Sequence, residues 1–163
     1  MRHKKFSSIG KRLDPRYLFK TKRKINEIIV HCTANSSNPK LGAKYVDHEH
    51  LKRWGKNSGC GYHYVIRTDG TLEKGRWADF AGAHARGRNR NSIGVSYVGG
   101  LDKRGHAMDQ GMTPKQLQTM QTLLHTLTQI YGLNKYAVKG HNELPHVNKA
   151  CPCTPMDKLR NSI

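Results

Sequence analysis

The amino-acid sequence predicts an α/β fold in which a single mixed β-sheet is flanked by helices. Short runs of β-branched and aromatic residues alternate along the chain with segments whose apolar residues recur at helical spacing, a pattern typical of α/β proteins. The length of 163 residues allows one ordinary domain with a hydrophobic core and little more. We therefore divide the chain into an N-terminal arm at residues 1–24 and one folded domain at residues 25–163.

The first half of the domain is predicted to contain a buried strand, a helix and a hairpin. The strand spans Ile25–His31, a β-branched run that ends at a histidine. Asn, Ser and Pro predict a loop at 35–42, and helical spacing predicts a helix over Tyr45–Lys56. Residues 62–67 and 72–75 flank an Asp-Gly turn, which indicates a β-hairpin.

The second half is predicted to contain two further strands and a long helix. A loop rich in Gly, Arg and Asn at 81–91 leads into an apolar strand at 92–98. The Thr-Pro-Lys-Gln sequence at 113–116 combines an N-cap, an N1 proline and a Gln at N3, so it marks the start of a helix that ends at Gly132. A short strand at 137–140 follows, and the rest is predicted to be irregular before a last helical turn.

The net charge of +18 is distributed unevenly along the chain. Residues 1–25 contain ten Lys or Arg and one acid, so this segment carries half of the total. A charge of this size favours polyanionic partners, namely nucleic acid, anionic membrane surfaces or anionic cell-wall polymers. The arm shows no sustained helical or strand period, and we expect it to be flexible or peripherally attached. A solvated tail without a function is the alternative.

The sequence shows no apolar segment of the kind that a secretory signal or a transmembrane helix requires. The arm lacks an apolar stretch of signal length, and no segment approaches the ~20 apolar residues of a membrane span. We expect synthesis in the cytoplasm without a signal peptide, and a monomer. Four cysteines are too few for a disulfide framework in a chain of this length, so we expect reduced thiols.

Histidines and cysteines near predicted strand ends suggest a metal site. A hydrolytic zinc site takes three protein ligands and keeps a fourth position open for water. His31 and His141 each follow a predicted strand, and Cys151 and Cys153 lie in a later loop. None of these spacings is a metal signature by itself, and isolated His and Cys residues are more often structural or solvated. Both interpretations stay open on spacing alone.

Seven short motifs, taken together, resemble the type 2 N-acetylmuramoyl-L-alanine amidases. This family includes phage endolysins and is similar to the peptidoglycan recognition proteins. The motifs occur in the family's order and span most of the chain, from about Ile25 to Asp157. They are Ile28-Ile29-Val30-His31-Cys32-Thr33-Ala34, Gly61-Tyr62-His63-Tyr64-Val65-Ile66, Asp69-Gly70-Thr71, Gly82-Ala83-His84-Ala85, Asn91-Ser92-Ile93-Gly94-Val95, Gly140-His141-Asn142-Glu143 and Lys149-Ala150-Cys151-Pro152.

The resemblance implies a zinc enzyme and assigns roles to six residues. The zinc ligands are His31, His141 and Cys151. The residues that assist catalysis are Tyr62 and Lys149, and the histidine that lines the substrate groove is His84. Chemistry agrees with these roles, because zinc makes a bound water nucleophilic near neutral pH, and a lysine and a phenol can stabilise the oxyanion that forms or relay a proton.

Four neighbouring residues leave alternatives open. Cys153 could replace Cys151 by reach alone, although the flanks of Cys151 match the family. His146 is expected on the surface, although it could compete for the metal or cover the groove. Glu143 is either a general base or a partner of the ligands. Cys32 should point to the opposite face of the strand from His31 and be buried, which argues against a Cys-His hydrolase.

We therefore predict hydrolysis of the amide bond between MurNAc and L-alanine in peptidoglycan, with Zn²⁺ as cofactor. A chain of this kind is expected to be a phage or prophage endolysin that acts on the cell wall after release. The first alternative is a peptidoglycan-binding module that does not cleave its ligand. The second is a basic nucleic-acid-binding protein, but no zinc-finger spacing, RNP motif or basic heptad region supports it, and we expect no obligate nucleic-acid partner.

Overall fold

A five-stranded mixed β-sheet forms the centre of residues 8–163, the part of the chain that the computed structural model describes. Its strand order is β4-β3-β5-β1-β7, and every neighbouring pair is parallel except β3 and β4. A separate two-stranded sheet joins β2 to β6. The strands are β1 Glu27–Cys32, β2 Asn35–Ser36, β3 Tyr64–Ile66, β4 Leu72–Lys74, β5 Ser92–Tyr97, β6 Gly100–Leu101 and β7 Val138–Gly140; the helices are α1 Ala43–Trp54, α2 Pro114–Tyr131 and α3 Met156–Arg160. The mixed sheet and its helices confirm the predicted fold class, while the pair β2 and β6 was not predicted.

The two faces of β1 serve different parts of the molecule. Ile28, Val30 and Cys32 belong to the main buried cluster, which includes the apolar face of α2. Ile29 packs in a separate cluster with Ala85 and Leu144 on the opposite face. Because side chains alternate along a strand, the histidine at position 31 also lies on that second face. The sheet therefore keeps α2 and this histidine on opposite sides.

Helix α2 begins and ends where the sequence predicted. Thr113 accepts the backbone N–H of Gln116, and the Gln116 side chain accepts the N–H of Thr113, which completes a capping box. Gly132 ends the helix in the left-handed region at φ 63°. The buried Gln116 amide also donates to the carbonyl of Val98 at 2.8 Å, so the start of the helix is attached to the sheet.

Helix α1 begins at Ala43, two residues before the predicted start. Gly42 has no side chain to cap the helix, and the Glu73 carboxylate of β4 accepts the Ala43 N–H at 2.7 Å instead. A cap from a distant strand leaves no local signal in the sequence. The helix ends at Trp54, before Gly55 at φ 91°, rather than at the predicted residue 56.

Residues 10–13 of the predicted basic arm run along the free edge of β4. Gly10 donates its N–H to the Lys74 carbonyl at 2.8 Å, and Lys74 donates to the Lys11 carbonyl at 2.9 Å. Leu13 donates to the Leu72 carbonyl at 2.9 Å. These bonds attach residues 10–13 to the sheet, because the edge strand offers backbone groups that charge counting cannot reveal. Residues 1–7, which the prediction also assigned to the arm, lie outside the described residues.

Arg23 attaches the end of this segment to the loop between β4 and β5. Its guanidinium donates to the carbonyls of Ala78 and Phe80, each at 2.8 Å, and also to the Ser92 carbonyl. Several backbone acceptors therefore surround one cation.

Among residues 8–163, no helix has the length and apolar character that crossing a membrane requires.

Candidate metal centre

Three side chains that could bind a metal converge at the C-terminal ends of two parallel strands of the sheet. His31 lies near the end of β1, and His141 follows β7, which is the parallel neighbour of β1. Cys151 comes from the loop before α3, where its carbonyl accepts the Asn142 N–H at 2.8 Å. One ligand atom from each of the three lies within 4.8 Å of the other two. No other such group of three or more His, Cys, Asp or Glu exists within residues 8–163.

The Cys151 sulfur is held by the backbone of β1. It accepts the N–H of Cys32 at 3.3 Å and lies 3.8 Å from Nδ1 of His31. A hydrogen bond from the Cys32 thiol lowers the pKa of Cys151, and the Cys32 amide and the positive charge of Lys149 lower it further against the effect of burial. The thiolate, which is the form that binds zinc, is therefore favoured.

A chain of hydrogen bonds fixes which nitrogen of His31 is free. Ser92 donates its hydroxyl to the Arg88 carbonyl at 2.9 Å, so its oxygen accepts the Nε2–H of His84 at 3.3 Å. Nδ1 of His84 is then an acceptor, and it lies 3.0 Å from Nε2 of His31. His31 consequently carries its proton on Nε2 and directs the lone pair of Nδ1 toward Cys151.

Both histidines of the cluster are held in the neutral form. Burial lowers the pKa of His31 far below its usual value, and the proximity of the ionisable groups of His141, His50 and Lys149 acts in the same direction. Burial and then Lys149 also lower the pKa of His141. Neutral imidazole is the form that binds a metal.

The cluster has the chemistry of a zinc site. Two imidazole nitrogens and one thiolate are ligands that zinc prefers, and three ligands leave a tetrahedral position for water. The 3.8 Å between Cys151 Sγ and His31 Nδ1 is close to the ~3.6 Å that tetrahedral zinc distances give for a sulfur-to-nitrogen edge. The residues therefore fit the metal.

Tyr62 lies beside the cluster, and helix α1 positions it there. Its ring centroid is 5.0 Å from that of His31. Gly61 donates its N–H to Nδ1 of His50 at 2.9 Å, and Cys60 donates to the Asp47 carboxylate at 2.8 Å. Burial raises the pKa of Tyr62, so its hydroxyl stays protonated and can act as a donor.

Lys149 is exposed and lies close enough to the cluster for its charge to act on all three ligands. A cation at this position favours a negative charge on the sulfur and on any anion that forms beside the ligands.

His84, which was predicted to line the substrate groove, has both ring nitrogens engaged with His31 and Ser92. Gly94 of β5 makes its position possible, because a Cβ at this residue would overlap the His84 ring. The structure thus brings His84 to the metal cluster, and contact with substrate stays a prediction.

The four residues with open alternatives lie outside the cluster. Cys153 is buried with its sulfur 3.7 Å from that of Cys32, which is 3% exposed as predicted. Glu143 accepts the Gly140 N–H and pairs with Arg160, and these bonds outweigh burial and lower its pKa. It therefore holds the turn that carries His141. His146 is exposed, as predicted.

Two cavities flank the cluster. One, of about 410 Å³, lies between α1 and Tyr62 and is lined by Thr33, Tyr45, Glu49, His50, Arg53 and Tyr62. The other, of about 510 Å³, lies on the far side of His141 and is lined by Arg86, Arg88, Leu144, Pro145 and His146 among others. One cavity therefore borders Tyr62 beside the cluster, and the other borders the ligand candidate His141.

Sequence reasoning missed the partners that hold these residues. His50, Asp47 and Ser92 carry no motif that identifies them as supports of Tyr62 or His84. Ser92 was noted only as part of a motif, and its bond to His84 depends on how a loop folds back on β5.

Comparison with known proteins identifies relatives of the whole domain. The family model described as N-acetylmuramoyl-L-alanine amidase matches residues 21–154. The endolysin of Escherichia phage T7 is 38% identical over 143 residues, which cover 84% of this chain and 86% of that protein. The endolysin of Enterobacteria phage T3 is 37% identical, with coverage of 82% and 84%. Among solved structures, the endolysin amidase LysCS from Clostridium intestinale is similar, with a TM-score of 0.70, 26% identity, and coverage of 85% of this chain and 83% of that one.

Proposed function

The chain belongs to the N-acetylmuramoyl-L-alanine amidase family and is an amidase of peptidoglycan, and we propose that it works as a zinc enzyme. The proposed ligands are His31, His141 and Cys151, and the proposed catalytic residues are Tyr62 and Lys149. The bond cleaved is the amide between the lactyl group of MurNAc and L-alanine.

The observation that carries the proposal is the convergence of two imidazole nitrogens and the Cys151 sulfur within 4.8 Å at the end of two parallel strands. Bound zinc would lower the pKa of a water molecule toward ~7 and polarise the amide carbonyl. The ligand protonation states already suit the metal, because burial keeps both imidazoles neutral and hydrogen bonds stabilise the Cys151 thiolate.

Tyr62 and Lys149 supply positive electrostatic potential where an oxyanion would form. The Tyr62 phenol keeps its proton because burial raises its pKa, so it can donate a hydrogen bond to the anion. Lys149 contributes a full charge from the loop that also carries Cys151. The two side chains stabilise negative charge from separate elements, and their effects on turnover should be separable.

The biological role proposed is that of a phage endolysin, which acts on the cell wall. Its support is the likeness to phage endolysins over more than four-fifths of their length. The net charge of +18 agrees with this role, because it concentrates the enzyme on anionic wall polymers. A module that binds peptidoglycan without cleavage is less well supported, because such a module has no need of a stabilised thiolate.

The test is digestion of purified peptidoglycan, with the new N-terminal alanine measured by end-group labelling and the metal content measured on the same preparations. We expect a chelator to abolish release of alanine and zinc to restore it. Release that persists in fully metal-free protein would contradict the zinc mechanism. Failure of the wild-type holoenzyme to release alanine, with zinc bound, would instead contradict the amidase assignment.

A further inference from the structure

An aromatic and basic surface lies at the β4 edge of the sheet, away from the metal cluster. Residues 17–21, with Lys11 and Leu13, and residues from the 74–79 segment surround a concave region of about 320 Å³. We define the aromatic-basic patch as Tyr17, Phe19, Trp77, Lys11, Lys20 and Lys74, all of which line it. Two strands separate β4 from β1 in the sheet, so the patch is not part of the site described above.

The exposure of the aromatic residues sets this surface apart. Phe19 is 82% exposed and Tyr17 is 67% exposed, and Trp77 is 39% exposed at the facing rim. Leu13 and Leu18 add partly buried aliphatic surface between them. A cluster of large apolar side chains exposed to solvent is typical of a binding surface.

The charges around the patch favour an anionic partner. Lys11 and Lys20 are exposed at its rim, while Lys74 is half-buried. Asp14 pairs with Arg16 at 2.6 Å. Asp79 is the only acid among the residues that line the concave region, where it accepts the Thr21 hydroxyl at 2.6 Å, and four cations line the same region: Lys11, Lys20, Lys74 and Arg76. The potential at the patch is therefore positive.

Cations lie over two of the three aromatic rings, which favours lipid over nucleic acid as the anionic partner. Nucleic-acid bases would need open ring faces on which to stack. The Lys74 ammonium already lies 3.1 Å from the Trp77 ring centroid, and the Arg16 guanidinium is 5.8 Å from that of Tyr17. The Phe19 ring, the edges of the other two rings and the aliphatic carbons of Leu13 and Leu18 remain available, and such groups insert readily at the boundary between lipid headgroups and acyl chains.

We propose that the aromatic-basic patch docks on the surface of an anionic phospholipid bilayer. Tyr17 and Phe19 insert at the level of the headgroups, and the lysines contact lipid phosphates. The enzyme would then hold its metal cluster, at the other end of the sheet order, away from the membrane. This interaction does not depend on zinc or on the amidase reaction.

Vesicle co-sedimentation of the full chain tests the proposal. The probes are vesicles of phosphatidylcholine mixed with phosphatidylglycerol, and vesicles of phosphatidylcholine alone. We expect binding to the mixed vesicles that weakens with salt, and little binding to the neutral ones. The double variant Tyr17→Ser/Phe19→Ser should partition about tenfold more weakly, and each of Lys11→Gln and Lys20→Gln about fivefold more weakly.

Tyr136→Ser is the matched control, because Tyr136 is 72% exposed and also has a lysine, Lys135, over its ring. This variant should bind vesicles like the wild type, and all variants should digest purified peptidoglycan at the wild-type rate. A second measurement uses Trp77 fluorescence in a Trp54→Phe background, where mixed vesicles should shift the emission to the blue.

Three results would overturn the proposal. The double variant could bind as tightly as the wild type, or the control could lose as much binding as the double variant. The wild type could also ignore both kinds of vesicle and retard single-stranded DNA through the same residues, in which case the patch would be a nucleic-acid surface.

Discussion

The two sides of the metal cluster are built differently. On the side of the sheet, the Cys32 amide holds the Cys151 sulfur, and His84 holds His31 through a chain that ends at Ser92. On the open side, Lys149 is exposed and Tyr62 borders a cavity. We infer that the sheet side fixes the ligands in their binding forms, while the open side acts on the substrate. The two sides should therefore respond to mutation in different measurements.

The ligand itself should give the largest effect. Cys151→Ala removes the thiolate, and zinc affinity should fall by more than the ~100-fold typical for loss of an outer partner, with release of alanine no longer detectable. Metal content and peptidoglycan digestion measure this. Cys153→Ser is the matched control, because that sulfur lies in the core beside Cys32, and it should keep zinc and turnover. The reverse pattern would make Cys153 the ligand.

Tyr62→Phe should impair the function of the open side without affecting that of the sheet side. Loss of the hydroxyl removes a donor to the oxyanion, so kcat should fall by about 100-fold while zinc content is unchanged. Turnover of zinc-loaded protein and metal titration measure the two quantities separately. The control is Tyr136→Phe, which removes an exposed phenol that is not part of the cluster. Loss of zinc from Tyr62→Phe would show that the two sides are not independent.

His84→Ala should give the opposite pattern on the sheet side. Without its acceptor, His31 no longer has a fixed tautomer, and zinc affinity should fall by about 10-fold to 100-fold. At saturating zinc, kcat should recover most of its value. Competition with a fluorescent chelator measures the affinity, and His48→Ala provides an exposed histidine as control. A kcat that stays low at saturating zinc, with KM raised, would instead assign His84 to the substrate groove.

Lys149→Met should have a smaller effect on the open side. Removal of the charge should lower kcat by about 10-fold, and Lys149→Arg should retain most activity because the charge is kept. Lys135→Met serves as a control for the loss of one exposed lysine. If Lys149→Met were as active as the wild type, Tyr62 alone would carry the catalytic contribution assigned to the open side.

The sequence predicts elements whose signals are local. Helix α2 carries its own caps at Thr113 and Gly132, and β1 carries its own β-branched run, so both were found near their observed positions. The two-residue strands β2 and β6 exist only because they pair with each other, and their residues show no strand pattern. The cap on α1 from Glu73 and the attachment of residues 10–13 to β4 are likewise contacts between distant segments.

The candidate site follows the same division. Residues in collinear motifs, such as His31, His141 and Cys151, could be selected from the sequence, although spacing alone did not separate Cys151 from Cys153. The hydrogen bonds between Ser92 and His84 and between His50 and Gly61 could not be predicted from the sequence. Each joins two segments that come together only in the folded chain. Sequence therefore identifies the atoms that do chemistry more readily than those that hold them.

A pH titration of stability tests whether the sheet side depends on neutral histidines. His63 is fully buried, with Nδ1 accepting the Gly94 N–H at 2.9 Å, and burial lowers its pKa to about 3. Its unfolded value is ~6.5, so between these values the unfolded chain binds the extra proton. The stabilisation is complete above pH ~6.5 and is lost as the pH falls toward 3.

The contribution of His63 can be isolated by comparison with His63→Asn, whose amide oxygen can still accept the Gly94 N–H. Denaturant unfolding in a chelator, from neutral pH to about pH 5, should give the wild type a steeper fall in unfolding free energy. The excess slope should approach ~1.4 kcal/mol per pH unit, the effect of one proton. Equal slopes would mean that His63 binds its proton over the same pH range in the folded and the unfolded chain. In that case only His84 and Cys32, which contact the ligands directly, would remain as the groups that distinguish the sheet side from the open side.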